Sequence, residues 1–298
     1  MIFNSALDII GNTPLVKLDN IVKKYNLKGE IYAKVEYYSP GLSKKDRIAK
    51  YIIEKAVKTG ELKKGQTVIE QTSGNTGIGL ALVCSILGYP FVAVMSKGNS
   101  VERVKMIEAF GGKVELVDKV SSSQGVSSID MERVERRFKE LAKQLNAYPV
   151  NQFNNEDNAW AHYYTTGEEI LKDLKNVDIF VDYVGTGGSF VGIAKRLKDD
   201  HNCLCYKVIP DSINHSIQGG GYFKNIPFES DGLCDGEIVV SSEEAIEGMK
   251  ELASQGLYAG ISSGANVKGA IKILKENPNK KVVILLNDVG LKYLSVNK

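Results

Sequence analysis

Short apolar runs alternate with helical segments along most of the chain, and this alternation constrains the fold more than any other feature. The runs at 67–70, 91–95, 177–184 and 281–287 are typical of buried strands, and segments with helical periodicity separate them. Strands that alternate with helices form parallel sheets, which helices cover on both faces. The sequence therefore predicts an α/β fold with twisted, mostly parallel sheets flanked by helices.

The length of 298 residues and the distribution of the strands favour two domains rather than one. We predict a boundary near residue 150, with a larger domain formed by 1–40 and 151–298 and a smaller, mobile domain formed by 41–150. Ligands of such folds bind at the carboxyl ends of the strands, so we expect the active crevice there, between the two domains.

Composition argues against several functional classes. The formal net charge is +2, without the clustered basic residues that nucleic acids or membrane surfaces attract. We expect no membrane-spanning segment and no secretory leader, because no apolar run is long enough and the N-terminus has no cleavage site. The four cysteines form no CxxC pair, which favours a reduced, cytoplasmic setting, and the three histidines show no metal-ligand spacing, so we predict no metal.

Lys45 lies in the segment Ser43-Lys44-Lys45-Asp46-Arg47, which opens a predicted helix. Ser43 is predicted as the N-cap, and Asp46 as its partner in a capping box. The helix dipole disfavours a cation in the first helical turn, so the pKa of Lys45 should be depressed and its neutral amine should be nucleophilic. Taken alone, Lys45 also fits a solvated surface lysine.

Two glycine-rich loops follow predicted strands, one from Thr72 to Gly77 and the other from Gly185 to Ser189. Backbone N–H groups and hydroxyls at a helix N-terminus form a receptor for a carboxylate or a phosphate. Each loop also fits an ordinary capped turn, and the second lacks the GxGxxG spacing of dinucleotide sites. A nucleophilic lysine together with two anion loops suggests a pyridoxal phosphate enzyme that acts on an amino acid.

Six motifs in order resemble the cysteine synthase (O-acetylserine sulfhydrylase) and cystathionine β-synthase family, which has the fold-type II, tryptophan synthase β-like architecture. The resemblance covers nearly the whole chain. The motifs are Gly11-Asn12-Thr13-Pro14-Leu15, Ser43 to Arg47, Thr72 to Gly77, Asn151-Gln152-Phe153 with Ala161 to Gly167, Gly185 to Gly188, and Gly260-Ile261-Ser262-Ser263-Gly264.

The resemblance implies a function for each motif. Pyridoxal 5'-phosphate is the implied cofactor, which Lys45 would hold as an internal aldimine before acting as a base, while Asn75 would bind the oxygen on its ring. The residues implied to bind its phosphate are Gly185, Thr186, Gly187, Gly188 and Ser189, and those implied to bind the substrate carboxylate are Thr72, Ser73, Thr76 and Gln152. The larger domain would bind the cofactor, the smaller domain would bind the substrate, and two chains would form a homodimer.

Three departures from the family pattern bear on the reaction. Val289 stands where the PDSG motif of the family has a serine that binds the pyridine nitrogen, so we expect that nitrogen to lose this partner unless Asn287 or Asp288 substitutes. Tyr183 replaces a small residue and could fill space beside the ring, although a core tyrosine fits as well. The altered segment 210–236 contains Asp231, either a general base that activates water or a solvated turn residue.

We therefore predict an enzyme that releases hydrogen sulfide from L-cysteine through an aminoacrylate intermediate, with water (giving L-serine) or a thiol as second substrate. Two alternatives share this chemistry, namely synthesis of L-cysteine from O-acetyl-L-serine and sulfide, and formation of lanthionine. A catalytically silent binding protein with this fold is an alternative of another class, which the intact Lys45 disfavours. A nucleotide-binding oxidoreductase is an alternative of a third class.

Overall fold

The computed structural model describes residues 2–120, 126–212, 215–221, 228 and 232–295. The strands are β1 (Leu15–Lys17), β2 (Gly29–Val35), β3 (Val68–Gln71), β4 (Phe91–Ser96), β5 (Lys113–Val117), β6 (Tyr148–Pro149), β7 (Ile179–Tyr183), β8 (Leu204–Pro210), β9 (Gly236–Val240) and β10 (Lys280–Leu286). The α-helices are α1 (Asp19–Lys24), α2 (Lys45–Thr59), α3 (Asn75–Leu87), α4 (Val101–Ala109), α5 (Ser128–Gln144), α6 (Asp157–His162), α7 (Glu168–Asp173), α8 (Gly188–Asp200), α9 (Ser242–Ser254) and α10 (Ile261–Glu276). A π-helical turn, Tyr163–Gly167, joins α6 to α7, and short 3₁₀ turns lie at Ala6–Ile9, Glu36–Tyr38 and Gly290–Tyr293.

The strands form two sheets. The larger has the order β1-β2-β10-β7-β8-β9, in which β1 runs antiparallel to β2 and the other neighbours are parallel. The smaller, β5-β4-β3-β6, is wholly parallel. The predicted α/β fold with mostly parallel sheets is thereby confirmed. The larger sheet takes its strands from both ends of the chain and the smaller from 68–149; the division into two domains, one of them mobile, stays a prediction.

Helices cover both faces of each sheet. On the smaller sheet, α2 and α3 bury Ile52 and Ile78 against one face, while α5 buries Phe138 against the other. On the larger sheet, α9 and α10 cover one face, with Leu252 and Ala270 in the core, and α8 covers the opposite face. Burial on both faces explains why the strands read as continuous apolar runs rather than as alternating patterns.

The predicted capping box at the start of α2 is wrong. Lys44 directly precedes the first residue of α2, but its side chain makes no capping hydrogen bond and its backbone is already right-handed helical, unlike that of a capping residue. The carboxylate of Asp46 turns away from Ser43 and accepts a hydrogen bond from Gly41 N at 2.6 Å, so it closes the preceding turn instead. The hydroxyl of Ser43 accepts from Lys45 N at 3.3 Å.

Two observations bear on the expected setting of the protein. None of the helices among the described residues is long and apolar enough to cross a membrane. All four cysteines are free thiols, three of them buried.

Candidate active site

Lys45 is fixed at the start of α2 by the end of β10. Lys44 N donates a hydrogen bond to Asn287 O at 2.9 Å, and Ser43 forms an antiparallel bridge with Asp288. Lys45 thus lies near the carboxyl ends of β10 and its neighbour β7, where a cavity opens. The described residues that line this cavity are Lys44, Lys45, Asn75, Tyr183, Gly185, Thr186, Gly187, Ser189, Gln218, Gly219, Ser262, Asn287 and Tyr293.

The ammonium group of Lys45 loses its proton easily. Burial and, next, the charge of the neighbouring Lys44 lower the pKa of Lys45 to about 7, against the opposing effects of Asp182 and Asp288. The predicted depression of this pKa is confirmed in direction, but burial rather than the helix dipole is its main cause. An amine that is neutral near pH 7 can act as a nucleophile or a base.

The second glycine-rich loop forms one wall of the cavity. It connects the end of β7 to the first residue of α8, Gly188, where the unpaired N–H groups of a helix N-terminus attract anions. A Cβ at Gly185 would lie 2.5 Å from the carbonyl oxygen of Gly219, and Gly187 has a φ of +92°. Side chains at these positions would fill or strain the loop, so glycine keeps it open for a phosphate.

Ser262 and Asn287 form a second polar wall. Nδ2 of Asn287 donates to Ser262 Oγ at 3.2 Å, whereas its Oδ1 is buried without a hydrogen-bond partner, and Asn287 is only 6% exposed. Val289 does not belong to the lining formed by the described residues. The cavity therefore has polar groups from Ser262 and Asn287 although position 289 is a valine, and the loss of a partner for the ring nitrogen stays a prediction.

The side chain of Asn75 reaches the cavity but already has two partners. It donates to Asp288 Oδ2 at 2.7 Å and accepts from Lys292 Nζ at 2.9 Å. Tyr293 Oη donates to the same oxygen of Asp288 at 2.7 Å. The implied bond between Asn75 and the oxygen of the cofactor ring stays a prediction. The amide group has two N–H donors, one of which binds Asp288, so this bond can form without loss of either partner.

Three of the four residues predicted to bind the substrate carboxylate, Thr72, Thr76 and Gln152, are buried. Thr72 Oγ1 accepts hydrogen bonds from the backbone N–H groups of Gly74 and Gly77, at 3.0 and 3.3 Å. The side chain of Thr76 donates to Gln152 Oε1 at 2.6 Å. None of the four predicted residues belongs to the cavity lining formed by the described residues; they are Thr72, Ser73, Thr76 and Gln152.

The side chain of Gln152 contacts the buried carboxyl group of Glu70. Its Nε2 donates to Gln71 O at 2.9 Å and to Glu70 Oε1 at 3.4 Å. Burial raises the pKa of Glu70 to about 8, so this carboxyl group is mostly protonated at neutral pH. The substrate-binding assignment of Gln152 stays a prediction, because its amide is directed toward the protein interior here.

Asp231 lies outside the described residues, so its predicted activity as a base stays a prediction.

The sequence did not predict that Lys44, Gln218 and Tyr293 line the cavity. For Lys44 a signal existed, since it occupies the variable position of the lysine motif with a second lysine. No group of three His, Cys, Asp or Glu side chains among the described residues lies close enough together to hold a metal ion.

The donor set of the cavity fits pyridoxal phosphate. Lys45 offers an amine with a lowered pKa, and the glycine loop offers an open anion receptor. The orphan Oδ1 of Asn287, together with the Ser262 hydroxyl, can bind a polar atom of the ring. Lys45 would hold the aldehyde carbon and the loop from Gly185 to Ser189 would hold the phosphate.

Comparisons with known proteins agree with this fit. The family described as "Pyridoxal-phosphate dependent enzyme" matches residues 6–288. The chain is 38% identical to cysteine synthase B of Campylobacter jejuni, over 97% of this chain and 96% of that protein. It is similar to the crystal structure of a hydrogen sulfide-producing enzyme from Fusobacterium nucleatum, with a TM-score of 0.91, 42% identity and coverage of 98% and 100%. It is also similar to an O-acetylserine dependent cystathionine β-synthase from Helicobacter pylori, with a TM-score of 0.91, 35% identity and coverage of 99% and 98%.

Proposed function

The chain belongs to the family of pyridoxal-phosphate dependent enzymes and is of the cysteine synthase type, and from this premise we propose that it releases hydrogen sulfide from L-cysteine by β-elimination. The observation that carries the proposal is the 42% identity, over 98% of the chain, to a hydrogen sulfide-producing enzyme. The similarity to a cysteine synthase also spans nearly the whole chain, at 38% identity. Both relatives support chemistry at the β-carbon of an amino acid, and the first supports the direction.

Lys45 is the base in this proposal. Bound pyridoxal phosphate stabilises negative charge at the α-carbon of an amino acid. Nζ of Lys45 takes the proton from that carbon, and the Cβ–S bond then breaks with its electron pair leaving on sulfur. Because the pKa of Lys45 is lowered to about 7, the amine can accept and return a proton near neutral pH.

Asp231 is the proposed base for the second half of the reaction, in which water adds to the β-carbon and L-serine forms. We expect Asp231→Asn to slow steady turnover about 10²-fold while the first equivalent of sulfide is released at the normal rate. Rapid mixing with L-cysteine measures both rates. Asp235→Asn is the matched control, because Asp235 follows in the same stretch of sequence and its carboxylate accepts from Cys205 N at 2.7 Å. Equal steady rates for Asp231→Asn and the wild type would contradict this assignment.

Synthesis of L-cysteine from O-acetyl-L-serine and sulfide is the second candidate, since the similarity to cysteine synthase B of Campylobacter jejuni also spans nearly the whole chain. The deciding experiment incubates the holoenzyme with L-cysteine alone, measures sulfide and identifies the amino acid by mass spectrometry. We expect sulfide together with L-serine, or with lanthionine if a second cysteine supplies the thiol. Efficient consumption of O-acetyl-L-serine and sulfide, with no sulfide from L-cysteine, would overturn the proposal in favour of the synthase.

A further inference from the structure

A second lysine lies inside the cavity, next to Lys45 in the sequence. Lys44 precedes Lys45, and its side chain is only 9% exposed. Its ammonium group donates to Ser189 Oγ at 2.7 Å and to the two carboxylate oxygens of Asp182 at 2.9 and 3.2 Å. Of the described residues that line the cavity, Lys44 and Lys45 are the two that carry ammonium groups.

The contacts of Lys44 direct its charge toward the glycine loop of the cavity. Ser189 is the second residue of α8 and the last residue of the loop that begins at Gly185. Its hydroxyl accepts from Lys44 and donates to Asp182 Oδ2 at 2.7 Å. Lys44 therefore approaches the anion receptor at its helical end, where the partial positive charge of a helix N-terminus already favours a phosphate.

Asp182 makes this cation tolerable in the protein interior. The carboxylate is fully buried on β7, and Asn266 Nδ2 also donates to it, at 3.1 Å. A buried ammonium group without a counter-ion would be strongly disfavoured. The pair leaves the pocket close to neutral before a ligand arrives, and it holds Nζ in position, so little side-chain entropy is lost when an anion binds.

We propose that Lys44 is a phosphate-binding residue of the cofactor site, held in place by Asp182 and Ser189. The proposal rests on pyridoxal phosphate as the cofactor but not on the direction of the sulfur chemistry. An ammonium group has three N–H donors, so the phosphate would take the place of the longest of these bonds, to Asp182 Oδ1 at 3.2 Å. The new bond would be charge-assisted, and such bonds are about twice as strong as neutral ones. The effect of Lys44 on Lys45 agrees with this closeness, because its charge helps to lower the pKa of Lys45.

The competing interpretation is an ion pair that only joins α2 to the larger sheet. Lys44→Met distinguishes the two, because methionine keeps most of the buried volume and removes the charge. The variant leaves Asp182 buried without a cation, so the double variant Lys44→Met/Asp182→Asn restores neutrality. Lys268→Met is the matched control: Lys268 is also buried and paired, at 3.0 Å from Glu251, but does not line the cavity.

The experiment removes the cofactor from each purified protein and titrates the apoprotein with pyridoxal phosphate and, separately, with pyridoxal, which lacks the phosphate. Protein fluorescence or visible absorbance measures binding. We expect Lys44→Met and the double variant to bind pyridoxal phosphate about tenfold or more weakly, with pyridoxal affected about twofold or less. Lys44→Arg should restore much of the preference, and Lys268→Met should keep the ratio of the wild type.

An unchanged ratio of the two affinities in both Lys44 variants would overturn the proposal, because a purely structural ion pair affects both ligands alike. Thermal unfolding of the apoproteins shows whether each variant is folded, and the double variant keeps the test valid if the single one is not. The readout is independent of sulfide release, so a protein that makes cysteine instead would leave this inference intact.

Discussion

The two glycine-rich loops resemble each other in sequence but use their polar groups in opposite ways. From the loop that ends β7, four residues face the cavity, namely Gly185, Thr186, Gly187 and Ser189. From the loop that ends β3, which runs from Thr72 to Gly77, Asn75 alone contributes to the lining seen among the described residues. Thr72 and Thr76 instead make their hydrogen bonds within the protein.

The polar groups of the loop after β7 already face the cavity, whereas those of the loop after β3 must rearrange before they can bind a ligand. Four residues of the loop after β7 already line the cavity, so this loop can receive a ligand without rearrangement. If the other loop binds the substrate carboxylate as predicted, the carboxylate must replace internal hydrogen bonds, each with a net contribution of about 1 kcal/mol. We infer that the first loop suits a cofactor that stays and the second suits a substrate that comes and goes.

The largest effect is expected at Lys45, which lies where both loops must act together. Lys45→Ala should reduce sulfide release at least about 10³-fold, because the base is lost. Lys58→Ala, an exposed lysine in the last turn of the same helix, should stay near the wild type. Sulfide assays with L-cysteine give the comparison, and substantial activity in Lys45→Ala would contradict the assignment.

Gly185→Ala tests whether the loop after β7 is prebuilt for the cofactor. The added Cβ would approach the carbonyl oxygen of Gly219 at 2.5 Å, so the loop must shift. Because a shift of about 1 Å in a positioned site can reduce function about 10²-fold, we expect a loss of cofactor affinity of that order. Titration of the apoprotein measures it; unchanged affinity would show that this loop adapts after all.

Gly74→Ala makes the corresponding change in the other loop. Gly74 has a φ of +135°, and an added Cβ would collide with the side chain of Arg103. We expect KM for L-cysteine to rise about tenfold, since the loop must rearrange to accept a carboxylate and the substitution strains it. Cofactor affinity should stay within about twofold. A larger loss of cofactor affinity than in Gly185→Ala would break the comparison.

The smallest effect on activity is expected at Glu70, which contacts Gln152 and whose titration affects stability. The pKa of Glu70 is raised by burial from 4.5 to about 8, so the folded protein keeps a proton that the unfolded chain releases above pH 4.5. Stability contributed by this group is therefore lost as the pH rises between these values. Glu70→Gln removes the titration and should melt about 5 °C or more above the wild type at pH 9, with no difference near pH 4.

The control for this pH dependence is Glu61→Gln, since Glu61 is exposed. Melting curves of the three proteins at several pH values test the expectation. A difference between Glu70→Gln and the wild type that stays constant from pH 4 to pH 9 would show that Glu70 does not titrate in this window.

The sequence predicted those strands and helices well whose formation depends mainly on local residues. The strands predicted at 67–70, 91–95 and 281–287 lie within one residue of those bounds, at Val68–Gln71, Phe91–Ser96 and Lys280–Leu286, because each is a continuous apolar run. The two-residue strand β6 was not predicted, because it is too short to show a period and exists only through its pairing with β3.

The chemistry of the site divides in the same way. Lys45 and both loops could be identified because their residues are contiguous in sequence. The partners of Lys44 could not, because Asp182 lies on β7 and meets Lys44 only after the larger sheet has formed. The prediction of a capping box was wrong for a related reason. The spacing of Ser43 and Asp46 fits a capping box, but the carboxylate of Asp46 accepts a hydrogen bond from Gly41 N instead.

The position of β10 in the larger sheet has a consequence for the growing polypeptide. β10 comes after every other described strand in the chain, yet it pairs with both β2 and β7. All strands of the smaller sheet lie within 68–149, so that sheet can form early from contiguous sequence. The ends of β7 and β10 meet only once β10 has been synthesised. We therefore expect nascent chains to acquire the ability to capture the cofactor late, after the smaller sheet has already folded.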